Sequence, residues 1–256
     1  MTSFYGIHPS AEVWHGLTLL HFFLVGLAGG SAFLAALSRL RGEGASRNLL
    51  LFAALFVALD LVVLWLESPA RFRFTHVWLF ATFRPASAIS WGAWGLLLTL
   101  LLSLALAFRK GPERILVPLL FASSLVVLAY PGMLLSENPG RPLWDGFVTG
   151  LMPLTGLALA VAFWLVFLRG SLPRLAPPVF LTAGVAALLY PWGLLHGDAG
   201  ERAAWAGLWQ DAGLFYLAAA LLLLLAGFFR RRPELAGGLA LLGSTLLRSL
   251  IVVFGQ

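Results

Sequence analysis

The chain is expected to be an all-α integral membrane protein with eight transmembrane helices, and three observations predict this. Its residues are 60% hydrophobic and only 11% charged, against roughly 45–50% and about 25% in soluble domains. The apolar residues fall in blocks near 14–38, 49–66, 88–108, 115–135, 147–168, 175–196, 204–228 and 235–254. Such blocks match the ~20 residues that cross about 30 Å of hydrocarbon. None shows the alternation of a barrel strand, and a lipid-exposed backbone must satisfy its own hydrogen bonds, which leaves helices.

The first block, Trp14 to Leu37, exceeds the roughly 7–15 apolar residues of a signal peptide and no basic residue precedes it, so it reads as a retained helix. Its Gly26-Leu27-Ala28-Gly29-Gly30 run is the small-residue kind that lets helices pack closely. The second block carries Asp60, with Glu67 seven residues later, about 10 Å along the same helix face. The fourth holds Tyr130-Pro131-Gly132, and Tyr190-Pro191-Trp192 follows in the sixth. Both prolines are expected to kink their helices near the outer ends. This echo fits either a parallel duplication of two-helix units or a common helix-end pair. Asp211 and Arg248, in the seventh and eighth blocks, are expected to form a structural ion pair. The whole chain, 1–256, reads as one membrane domain of two four-helix bundles, 14–135 and 147–254.

Orientation follows from lysine and arginine. Loops after the odd-numbered spans hold Arg39, Arg41, Arg47, Arg109, Lys110, Arg114, Arg169, Arg174, Arg230, Arg231 and Arg232, against Arg71, Arg73, Arg84, Arg141 and Arg202 on the other side. The richer set belongs in the cytoplasm, so both termini are expected to be extracytoplasmic. The net charge of +6 thus reflects topology and does not imply nucleic-acid binding. With no cysteine, the chain has no disulfide, thiolate zinc site or iron–sulfur cluster of its own.

Ionisable groups inside a membrane cost about 2.5–3.5 kcal/mol each on insertion scales and so point to a task. His21, Asp60, Glu67, Tyr130, Asp211 and Arg248 all fall in the outer half of the expected bilayer. Bis-histidine haem needs paired histidines within spans. His8, His15, His76 and His196 lie at ends or in loops, so no haem is expected, and no metal site. Nucleotide, zinc-protease and nucleophile-elbow motifs are missing as well. Redox chemistry, a secondary transporter using Asp60 for protons, and a passive anchor remain open on the residues alone. An anchor leaves the shared depth of His21, Glu67 and Tyr130 unexplained.

Several segments resemble the NrfD-like family. His21-Phe22-Phe23-Leu24-Val25-Gly26-Leu27-Ala28-Gly29-Gly30 is similar to its first-helix signature. Arg84-Pro85-Ala86-Ser87-Ala88-Ile89-Ser90-Trp91-Gly92-Ala93-Trp94 resembles its entrance to helix three. Tyr130-Pro131-Gly132, then Arg141-Pro142-Leu143-Trp144 and Pro153-Leu154, resemble its passage from helix four to five. The likeness is greatest to polysulfide reductase membrane subunits and covers about residues 14–160. One departure is the family's Asp-Leu-Gly-Arg-Pro turn, which reads Leu66-Glu67-Ser68-Pro69-Ala70-Arg71 here, leaving Glu67 to replace the acid.

The resemblance implies a haem-free, multi-pass subunit of the bacterial inner membrane that oxidises menaquinol near the outer face. Its electrons would pass to a ferredoxin-like iron–sulfur subunit and a molybdopterin catalytic subunit, both extracytoplasmic, for reduction of polysulfide or a related acceptor. His21 and Tyr130 would bind the menaquinone head group, and Glu67 and Asp60 would carry protons. Partner docking is expected over loops 67–87 and 136–146, through Arg71, Arg73, Trp78, Arg84, Arg141 and Trp144.

Overall fold

The computed structural model describes residues 16–42, 47–67, 82–138, 140–168 and 175–255. Arg71, Arg73, Trp78, Arg169, Arg174, His8, His15 and His76 lie outside them. Among the described residues, eight helices are long and apolar enough to cross a membrane. They are α1 (Gly16–Leu40), α2 (Arg47–Glu67), α3 (Ala88–Ala107), α4 (Glu113–Ser136), α5 (Val148–Phe167), α6 (Ala176–His196), α7 (Ala199–Phe228) and α8 (Pro233–Phe254). A 3-10 turn, Pro142–Trp144, precedes α5, and no strand occurs among the described residues. Each helix overlaps one expected apolar block. The largest shift is at α7, which begins five residues before position 204. There Asp198 accepts from the Glu201 amide at 2.9 Å while the Glu201 carboxylate accepts from the Asp198 amide at 2.7 Å. This reciprocal cap satisfies two orphan donors and extends the helix beyond its apolar part.

Helix α1 packs on α2, α4 and α5; α3 joins α2 to α4; α5 meets α4, α6 and α8; and α7 lies against α6 and α8. The glycines of α1 explain its central place. A Cβ at Gly30 would clash with the Ala160 Cβ and lie 3.1 Å from the Gly156 oxygen, and one at Gly26 would lie 3.1 Å from the Gly156 Cα. The four-residue repeat Gly26/Gly30 therefore meets the repeat Gly156/Ala160 on α5, backbone against backbone. This close approach replaces the hydrophobic drive that lipid does not provide. Large apolar side chains such as Leu59, Val62, Leu101, Leu119, Leu189 and Leu214 are exposed, as the lipid-facing surface of a membrane protein requires.

Proline leaves a carbonyl without its helical donor four residues upstream. For Pro191 that carbonyl is Ala187, and the Tyr216 hydroxyl donates to it at 2.6 Å. The Tyr190 hydroxyl donates to the Leu143 oxygen beside it. Tyr190 thus anchors the 3-10 turn, whereas its sequence counterpart Tyr130 has a side-chain partner.

Candidate functional site

Three helices bring one buried polar line together. His21 enters from α1, Asp60 from α2 and Tyr130 from α4. His21 Nδ1 lies 2.7 Å from Asp60 Oδ1, and His21 Nε2 lies 2.9 Å from the Tyr130 hydroxyl oxygen. Relative exposure is 1% for His21, 0% for Asp60 and 3% for Tyr130. Asp60 Oδ2 has no hydrogen-bond partner among the described residues. A carboxylate at Nδ1 favours the tautomer that carries its proton there. Nε2 is then an acceptor, the Tyr130 O–H donates to it, and lone pairs on the phenol oxygen remain to receive another donor.

Glu67 is the last residue of α2, nearer the helix end than Asp60. The Thr18 hydroxyl donates to its carboxylate, so Thr18–Glu67 lies one α1 turn above His21–Asp60. The four residues expected at the site, His21, Asp60, Glu67 and Tyr130, therefore lie in one neighbourhood, with Thr18–Glu67 a helical turn from the His21 line. Thr18 was missed, although its place three residues before His21, on the same helix face, was a usable signal.

Gly92, in the Ser90-Trp91-Gly92 segment at the start of α3, lies against the Tyr130 ring. A Cβ on Gly92 would lie 2.5 Å from both Cδ2 and Cε2 of Tyr130, so only glycine lets the phenol ring lie against α3. The start of α3 is held in register by its neighbours. The Ala88 amide donates to both Glu137 carboxylate oxygens at 2.9 and 3.1 Å, the Arg84 amide to Ser90 Oγ at 2.8 Å, and the Trp91 indole to the Pro85 oxygen at 2.9 Å. Glu137 closes α4 just beyond Tyr130, so one carboxylate ties the start of α3 to the end of α4.

Two expectations are corrected. Asp211 and Arg248 form no ion pair among the described residues. Asp211 is exposed on α7, whereas Arg248 is buried and donates to the Met152 oxygen at 2.7 Å, Thr155 Oγ1 at 3.1 Å and the Phe22 oxygen at 2.6 Å. The space beside Gly26 and Gly156 draws the guanidinium inward: a Cβ at Gly156 would lie 3.2 Å from Arg248 Nη1. Trp144 is buried rather than available to a partner, because its indole donates to the Ile251 oxygen at 2.9 Å and its ring packs in the core. Arg84 is exposed and Arg141 half-buried.

A multi-pass, all-helical membrane protein with a hydrogen-bonded acid–imidazole–phenol line buried among α1, α2 and α4 is the class that fold and site define. The family comparison places it further. The polysulfide reductase family matches residues 1–256, and the chain belongs to that NrfD-like family. The family is the quinone-interacting membrane subunit of oxidoreductase complexes. No curated protein matches the chain.

Proposed function

We propose that this chain is the menaquinol-oxidising membrane subunit of a molybdopterin oxidoreductase complex, with its reaction site at Tyr130, His21, Asp60 and Glu67. The observation that carries this reading is the unbroken Asp60–His21–Tyr130 hydrogen-bonded line. Bound at such a site, a quinol supplies two electrons and two protons. Tyr130 is the contact, because both ring nitrogens of His21 are already engaged. Its phenol oxygen accepts from a quinol hydroxyl as its own proton passes to His21 Nε2. Asp60 then holds the resulting imidazolium as an ion pair, which makes proton transfer affordable in a low-dielectric interior. Glu67, partly exposed at the end of α2 and bonded to Thr18, takes protons on toward the outer surface. The unpartnered Asp60 Oδ2 fits a group whose hydrogen bonding changes during turnover.

In this reading α1–α4 form the four-helix unit that carries the site, α5–α8 form a second, and both termini are extracytoplasmic in a bacterial inner membrane. The chain holds no haem. Electrons leave through an iron–sulfur subunit docked on the outer face near Arg84 and Arg141, and a molybdenum subunit beyond it reduces polysulfide or a related acceptor. The test is quinol turnover by His21→Ala and Tyr130→Phe complexes. Each is expected to lose about 10²-fold or more, the usual range for removing a positioned proton-transfer group. Wild-type turnover in both variants, with normal assembly, places the chemistry elsewhere.

A further inference from the structure

Phe22 touches both His21 and a cavity on the other side of its ring. Its ring meets the His21 imidazole edge-on, with centroids 5.4 Å apart. It also lines a cavity of about 260 Å³ between α1 and α8, together with Leu20, Phe23, Thr245, Arg248 and Ser249. The cavity opens to the lipid-facing surface beside the exposed Leu20. Arg248 is 3% exposed and has no carboxylate partner among the described residues. Its two terminal nitrogens donate to Met152, Thr155 and Phe22. Its Nε–H has no acceptor among the described residues.

We propose that this cavity is a second, lipid-accessible binding position for an isoprenoid quinone head group, received at a ring carbonyl by Arg248 and separated from His21 by Phe22. The inference rests on the quinol reading above and adds to it a place where quinone waits or exchanges with the membrane pool. Depth selects the ligand. Arg248 lies six residues before Phe254 at the end of α8, about 9 Å below it at ~1.5 Å per residue. A phospholipid phosphate stays at the level of the polar head groups. The carbonyl of an apolar ring reaches into hydrocarbon, where the polar residues of the cavity wall, Thr245, Arg248 and Ser249, stand to receive it. Phenylalanine side chains at the wall suit a flat ring, and the opening beside Leu20 leaves its isoprenoid tail in lipid.

The experiment uses the intact complex in lipid vesicles with a photoreactive azido-quinone, and maps labelled peptides. Labelling is expected on the α8 segment 245–249 as well as near Tyr130. Excess menaquinone should compete with the α8 label, and excess phosphatidylglycerol should not. Thr245→Leu and Ser249→Leu each fill the cavity from its wall without removing a bond to Arg248. Both should lower α8 labelling at least tenfold and leave labelling near Tyr130 within twofold. Labelling near Tyr130 alone overturns this second position and leaves the quinol reading standing. An α8 label competed by phosphatidylglycerol and not by menaquinone overturns it in favour of a lipid site. No label at either place overturns both.

Discussion

Replacing Gly92 with alanine adds one methyl group where Tyr130 leaves no room for it. The new Cβ would lie 2.5 Å from Cδ2 and Cε2 of the ring and 2.7 Å from Cγ, whereas non-bonded carbons settle at about 3.5–4.0 Å. The ring must therefore retreat by ~1 Å, or α3 and α4 must part by as much. The Tyr130–His21 bond is 2.9 Å long, and a retreat of that size takes it past the ~3.5 Å at which a hydrogen bond is lost. If the helices part instead, overpacking costs about 1–3 kcal/mol. The expected outcome is a complex that still assembles and turns over quinol about 10²-fold more slowly, the usual penalty for a 1 Å displacement of a reacting group. The assay is quinol-dependent acceptor reduction in membranes, normalised to the amount of assembled complex. Gly150→Ala in α5, where a Cβ meets nothing within 4 Å, is the control and should be neutral. An assembled Gly92→Ala complex that turns over within twofold of wild type refutes the reasoning from ring position to rate.

Other outcomes follow from the packing. Gly30→Ala sets two methyl groups against each other between α1 and α5 and should lower the thermal midpoint or block assembly. Ala160→Gly in the same chain should restore much of the loss, and absence of rescue would mean that the helices do not meet there. Tyr216→Phe should cost about 1 kcal/mol, the net worth of a typical hydrogen bond. That cost should shrink in a Pro191→Ala background, where the Ala187 carbonyl regains a helical donor; equal costs in both backgrounds would separate Tyr216 from the proline. Reporter fusions after Gln256 should be active outside the cytoplasm and inactive inside it, and the reverse pattern inverts the proposed orientation.

Much of this protein is written locally. Chain length per apolar block and the demand that every backbone group in lipid be bonded specify eight helices, without reference to tertiary contacts. The same logic picks out His21, Asp60, Glu67 and Tyr130, because a polar group in hydrocarbon is expensive wherever the helices happen to pack. Pairing depends on rotation and neighbour choice, which hydropathy does not encode. Asp211 and Arg248 look like natural partners by depth alone, yet Arg248 turns toward α1 and α5, where Gly26 and Gly156 leave space for a guanidinium. Trp144 reads as an interfacial aromatic until α8 presents the Ile251 carbonyl to its indole. Tyr130 and Tyr190 share a sequence context and differ in role because α1 offers one an imidazole while the 3-10 turn offers the other a carbonyl. Gly92 carries no chemistry of its own, and only the packed structure, with a phenol ring lying across it, turns the missing side chain into a requirement.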